Sequence, residues 1–73
     1  MMDTTQQDVE QAAIEVLANS SVRELRQLRV DGSSNKLELS GRVRSFYHKQ
    51  LAQETVLAVA AGMQVVNQVD VSA

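Results

Sequence analysis

The fold is decided by the stretch Leu37-Glu38-Leu39-Ser40-Gly41-Arg42-Val43, in which apolar residues alternate with polar ones and the glycine takes an inward position. A period of two is typical of a β-strand that buries one face. Turn-forming residues occupy Asp31-Gly32-Ser33-Ser34-Asn35, and a second alternating segment comes before them. The connection is too short for a crossover helix, so the pattern predicts an antiparallel hairpin with strands over residues 25–31 and 36–44.

Two segments with helical periodicity flank the hairpin. Apolar residues at i, i+3, i+4, i+7 and i+8 predict an amphipathic helix over residues 5–18, and a similar stripe predicts a second helix over 46–61. Ser45 is a suitable N-cap for the second helix, and Gly62 is placed to end it. The two stripes are Val9, Ala12, Ala13, Val16 and Leu17, and Ala52, Val56, Val59, Ala60 and Met63.

The C-terminal segment is rich in β-branched residues and predicts a third strand over residues 64–71. Its phase stays open, because Val65 and Val66 fall on opposite faces. The element order is therefore α-β-β-α-β, and the last β-α-β unit allows parallel strands joined by a right-handed crossover. With the strand 36–44 in the centre, we expect an α+β fold in which two helices pack on one face of a three-stranded mixed sheet. Residues 1–73 form one domain.

Composition excludes several classes of protein. The chain has 73 residues, 44% of them hydrophobic, no cysteine and a formal net charge of −2. Without cysteine there is no disulfide, thiol nucleophile or cysteine-type zinc site. No segment approaches the roughly 18 apolar residues of a membrane span, and the N-terminus has no basic region followed by an apolar stretch. We expect a cytoplasmic protein if the chain is complete, and a periplasmic or envelope location if it is excised from a longer protein.

The single histidine does not predict a catalytic site. His48, Ser45 and Asp31 are the residue types of a nucleophilic triad, but Ser45 is explained as a helix cap and no oxyanion donor can be assigned. One histidine among dispersed carboxylates lacks the clustered spacing of metal ligands. We therefore expect a protein that is not an enzyme and that takes no metal or cofactor.

Basic residues concentrate on the hairpin and just before it, partly on the open face of the sheet. They are Arg23, Arg26, Arg29, Arg42 and Arg44. A nucleic-acid surface would also need aromatic side chains on that face, whereas Phe46 and Tyr47 fall at the start of the second helix. Asp31, Glu38 and Asp70 would partly cancel the charge. The pattern favours a solvated face over a nucleic-acid surface, and the same arginines are candidates for contact with lipid headgroups.

Taken in order, these features resemble the BON domain family of bacterial periplasmic and envelope proteins, over nearly the whole chain. The resemblance rests on the first helix ending at Leu17, the Leu-Ser-Gly-x-Val core of the central strand, the helix Ala52–Ala60 with its spaced alanines and valines, and the pair Gly62-Met63 before a Val-Asn strand. Only Gln64 separates that pair from the strand, where the family usually has two residues, so the register of the last strand stays open.

The resemblance implies an αββαβ fold and a non-catalytic role in binding phospholipid surfaces or other envelope components. It carries over no catalytic residues. The two family glycines have structural explanations, since Gly41 permits a close approach or a kink in the strand and Gly62 permits the helix exit.

Some apolar residues miss the helical stripes and define two candidate surfaces. Phe46 and Tyr47 beside Lys49 form an aromatic and basic tip of the kind that inserts at a membrane interface, although Phe46 could instead cover the edge of the core. With Arg42 and Arg44 this tip is the predicted surface for a phospholipid or an envelope-associated ligand. The alternative is a protein–protein or self-association surface formed by Ile14, Leu51 and Leu57.

Overall fold

The predicted hairpin is present, with its two strands paired antiparallel from Arg29↔Ser40 to Ser33↔Lys36.

A computed structural model describes the backbone of residues 4–72 and the side chains from residue 7 onward. Residues 1–3 and 73 of the predicted domain lie outside the described residues. The elements are α1 (Thr4–Ala18), a short 3-10 helix η1 (Arg23–Gln27), β1 (Arg29–Ser33), β2 (Lys36–Ser40), β3 (Arg42–Val43), α2 (Phe46–Leu57), β4 (Gln64–Asn67) and β5 (Asp70–Val71).

The main sheet is mixed, as predicted, with β2 between antiparallel β1 and parallel β4. A second, two-stranded parallel sheet pairs β3 with β5. The backbone bonds continue between the two sheets, because the Gln68 N–H donates to the Leu39 carbonyl at 2.9 Å and the Asp70 N–H donates to the Gly41 carbonyl at 2.9 Å. The predicted strands 36–44 and 64–71 are thus each divided into two shorter strands, and the divisions lie side by side.

Gly41 explains the break between β2 and β3. Its φ is +127°, and a Cβ built on it would lie 2.8 Å from Leu28 Cδ2. Side-chain-bearing residues rarely adopt this backbone conformation. Glycine therefore does two things here: it admits the unusual φ, and it leaves room for the half-buried Leu28 side chain, although position 41 itself is exposed and not inward as predicted.

The predicted strand 25–31 is wrong at its start. Its first residues belong to η1, in which the Leu25 N–H donates to the Val22 carbonyl at 3.1 Å and the Leu28 N–H donates to the Leu25 carbonyl at 3.3 Å. A spacing of three between Leu25 and Leu28 matches the three residues per turn of a 3-10 helix. The strand also continues further than predicted, to Ser33, because the turn is confined to Ser34 and Asn35, which both have positive φ.

The predicted helix 46–61 is too long, since α2 ends at Leu57. The chain then turns twice through bonds between residues three apart, including one from the Met63 N–H to the Ala60 carbonyl at 3.0 Å. Gly62 lies in that second turn, with φ +86°, and not at the end of the helix. The predicted exit glycine therefore directs the chain into β4.

The core lies between the helices and one face of the sheet, and both predicted stripes contribute to it. Its fully or nearly fully buried members are Val9, Ala13, Leu17, Leu25, Val30, Leu37, Leu39, Val43, Ala52, Val56, Ala60, Met63 and Val69. The opposite face of β1 carries exposed Arg29, Asp31 and Ser33, which leaves that side in solvent. No helix in the described part of the chain is long and apolar enough to cross a membrane.

Candidate functional site

The start of α2 presents two consecutive aromatic side chains to solvent. Phe46 is 75% exposed and Tyr47 is 69% exposed. Ser45 fixes their position by capping the helix, because its Oγ accepts a hydrogen bond from the His48 N–H at 3.2 Å. The predicted N-cap is confirmed, and Phe46 does not cover the edge of the core. Large aromatic side chains exposed to this degree mark a candidate contact surface.

A carboxylate from η1 reaches the same helix start. Glu24 Oε2 makes an ion-pair contact with His48 Nδ1, and Glu24 Oε1 accepts a hydrogen bond from the Arg44 N–H at 3.1 Å. Ser45 Oγ also lies 3.0 Å from His48 Nδ1. These contacts tie η1 to the junction between β3 and α2.

This cluster contains a serine, a histidine and a carboxylate, but it lacks the arrangement of a nucleophilic relay. In such a relay the carboxylate and the nucleophile hydrogen-bond to different nitrogens of the imidazole. Here Glu24 and Ser45 both approach Nδ1. The Ser45 hydroxyl also accepts the hydrogen bond that caps the helix. The contacts of this cluster therefore hold η1 against the start of α2. Asp31, the third residue type considered from the sequence, lies on the open face of β1. Among the described residues no group of three metal-ligating side chains occurs.

Within the described residues, the basic side chains nearest the helix start form no ion pair with a carboxylate. Lys36–Glu38, at 3.6 Å, is the ion pair that this part of the chain contains, and Glu24 also contacts His48. Arg42 lies beside Asp70 in the register of β3 and β5 without forming an ion pair within residues 4–72. Arg42 and Arg44 are both exposed, whereas Lys49 is half-buried. These cations are available to a ligand.

Two adjoining open clefts lie between η1, β3 and the start of α2. The first, of about 660 Å³, is lined by Glu24, Gln27, Arg42, Val43, Arg44 and Ser72. The second, of about 510 Å³, shares three of these residues and adds Arg23, Ser45 and His48. We call the two together the arginine cleft. Tyr47 adjoins it, because its ring stacks edge-on against His48 with centroids 5.5 Å apart.

The sequence-predicted site residues fall into two separate surfaces. Phe46, Tyr47, Arg42, Arg44 and Lys49 lie at or beside the start of α2. Leu57 lies at the other end of the same helix, about 16 Å away along its axis, given a rise of about 1.5 Å per residue.

The second surface is smaller than predicted. Leu57 is 46% exposed and Ile14 is 37% exposed. Leu51, in contrast, is half-buried and packs against the core, so its assignment to an outward patch is wrong. The reason is that α2 contacts α1, η1 and three strands, which buries a wider arc than one apolar stripe.

One part of the site was not identified from the sequence. Glu24 belongs to no recognisable sequence motif, and its partners Arg44 and His48 lie 20 or more residues further along the chain. The basic region was expected to lie partly on the open face of the sheet. Arg29 lies on that face, whereas Arg23 and Arg26 belong to η1.

The fold and this site define a small αββαβ domain with an exposed aromatic tip and a basic cleft. The chain belongs to the BON domain family, whose model matches residues 5–73. This agrees with the resemblance noted in the sequence and is consistent with a non-catalytic binding module. A search of curated proteins found no match.

Proposed function

We propose that this BON domain binds an anionic lipid surface through the start of α2. The contact surface, which we call the tip, consists of Phe46, Tyr47 and Lys49 with the neighbouring Arg42 and Arg44. The observation that carries the proposal is the exposure of two consecutive aromatic side chains, 75% and 69%, next to arginines that form no ion pair with any described residue. An envelope location, expected from the family resemblance, is part of the same proposal.

The expected affinity follows from the size of the tip. Full burial of a large apolar side chain contributes about 1.5–3 kcal/mol, and aromatic side chains are suited to the interface between headgroups and acyl chains. Each basic residue near an anionic surface adds about 1 kcal/mol at low salt. Two aromatics and three basic residues therefore give reversible, salt-sensitive binding, in contrast to permanent anchoring.

Vesicle co-sedimentation tests the proposal. We expect the protein to pellet with phosphatidylcholine vesicles that contain phosphatidylglycerol, and to pellet less at high salt or without the anionic lipid. The double variant Phe46→Ser/Tyr47→Ser should lose most of this binding. A matched control is Ile14→Ser/Leu57→Ser, which removes two exposed apolar side chains from the other surface. Failure of the folded protein to pellet with anionic vesicles at low salt would contradict the proposal.

A second candidate function is self-association or protein docking through Ile14 and Leu57. The supporting observation is that both aliphatic side chains are exposed on the helical layer. Light scattering across a range of concentrations should then show a mass that rises with concentration, and Leu57→Asp should abolish the rise. A monomer at every concentration, with an unchanged Leu57→Asp variant, would remove the self-association form.

A further inference from the structure

The arginine cleft combines three cationic side chains with a single carboxylate among the described residues that line it. Arg23, Arg42 and Arg44 line it, and no ion pair of the described chain involves any of them. Gln27 and Ser72 add neutral donors to the lining. The two parts, about 660 and 510 Å³, each lie within the roughly 300–1,000 Å³ typical of small-ligand pockets.

Among the described residues that line the cleft, Glu24 supplies the one carboxylate, and it is already engaged within the protein. Glu24 Oε1 accepts the Arg44 N–H at 3.1 Å, and Oε2 contacts His48 Nδ1. Its side chain is 23% exposed. Asp70, the strand neighbour of Arg42, does not line the cleft. The guanidinium groups are therefore neutralised only in part, and an anionic ligand would complete the charge balance.

We propose that the arginine cleft binds a phosphate monoester group. A guanidinium donates two parallel hydrogen bonds to phosphate oxygens, and Arg44 lines both parts of the cleft, with Arg42 in the first and Arg23 in the second. A monoester offers such donors three terminal oxygens and nearly two negative charges. A phosphodiester offers only two non-bridging oxygens and one charge, so it would satisfy fewer of these donors. The monoester could belong to a lipid headgroup of the phosphatidic acid type or to a free phosphate compound. In the lipid case the inference rests on the proposed function, because Arg42 and Arg44 belong to the tip.

Binding of a free, water-soluble monoester is tested by titrating the ¹⁵N-labelled protein with glycerol 3-phosphate. Dimethyl phosphate is the diester control. We expect saturable amide shifts confined to η1, β3 and the start of α2, with affinity at least about fivefold higher for the monoester. Arg44→Gln should weaken monoester binding about tenfold, and Arg42→Gln should do the same if the first variant fails to fold. The matched control is Arg29→Gln, which removes the same charge from the open face of β1 and should change affinity by less than about twofold.

The inference is overturned if glycerol 3-phosphate produces no saturable shift, if the two phosphates bind equally, or if Arg29→Gln weakens binding as much as the cleft variants.

A vesicle experiment identifies the source of the phosphate group. It compares phosphatidylcholine vesicles that contain either phosphatidic acid or phosphatidylglycerol, matched for surface charge. Tighter binding to phosphatidic acid supports the lipid form. Binding of the soluble monoester without binding to any vesicle supports the free form and contradicts the proposed function. Equal binding to both vesicles without binding of the soluble monoester leaves the proposed function intact and overturns the monoester site.

Discussion

Replacing Gly41 by alanine should destabilise the fold much more than the same change at Gly62, although both glycines have positive φ. Gly41 has φ +127°, and an added Cβ would lie 2.8 Å from Leu28 Cδ2; Gly62 has φ +86° and nothing within 4 Å. The two substitutions therefore share backbone strain and differ in steric overlap. The pair separates the conformational role of a glycine from its packing role.

The magnitudes follow from these two contributions. At Gly41, strain of about 1–3 kcal/mol and overlap of about 1 kcal/mol are offset by about 0.4–1 kcal/mol from the stiffer unfolded chain, which leaves a loss of about 1–3.6 kcal/mol, centred near about 2 kcal/mol. The overlap is near the low end of its range because Leu28 Cδ2 is the flexible end of a half-buried side chain. At Gly62, strain of about 1–2 kcal/mol and the same offset leave a loss of about 0–1.6 kcal/mol, centred near about 0.8 kcal/mol.

Urea unfolding followed by circular dichroism measures the difference. With a slope of about 1 kcal/mol per molar urea for a small domain, the midpoint should fall by about 2 M for Gly41→Ala and by about 1 M for Gly62→Ala. A double-mutant cycle isolates the overlap: in a Leu28→Ala background, Gly41→Ala should cost about 1 kcal/mol less. Equal losses at the two glycines, or no coupling between Gly41 and Leu28, would refute the reasoning.

Three further substitutions test the contacts that hold the site. Asn67→Ala should cost about 2–3 kcal/mol of unfolding free energy. The Asn67 side-chain amide donates to the Lys49 carbonyl at 2.9 Å and accepts from the Val69 N–H at 3.1 Å. A loss no larger than that of Gln68→Ala, at an exposed neighbouring residue, would contradict this. Ser45→Ala should cost about 1 kcal/mol in the same urea assay and Ser45→Asp nearly nothing, since aspartate also caps helices. Glu24→Ala should speed hydrogen exchange at the Arg44 amide, measured by NMR, whereas Glu24→Gln keeps an acceptor oxygen and should change it little.

The hairpin, both helices and the mixed sheet could be predicted because each depends on a local period that is visible in the sequence. The period of two around Leu37 and Leu39 and the two helical stripes correspond directly to buried residues. The errors came from short segments that satisfy two periods at once. Leu25 and Leu28 could be placed in an alternating strand or in a 3-10 turn, and only packing against the rest of the fold decides between them.

The candidate site was predictable only in part, for a related reason. The exposure of Phe46 and Tyr47 followed from their place in the first turn of a helix, outside its apolar stripe. The contacts of Glu24 depend instead on how η1 packs across β3, and no local pattern encodes a contact between residues 20 positions apart. Leu51 was misassigned because a helical wheel counts one apolar arc, whereas α2 is enclosed by several elements.

Gly41 links the fold to the arginine cleft. Because it has no side chain, Leu28 can lie beside it, and the Gln27 carbonyl lies within 3.8 Å of where a Cβ would stand. The end of η1 is thereby seated on the junction between β2 and β3. From that position Glu24, one turn earlier in η1, reaches the Arg44 N–H and His48 and so brings η1 to the start of α2. A Cβ at position 41 would displace the end of the Leu28 side chain, so the glycine that interrupts the strand also allows the end of η1 to pack beside it.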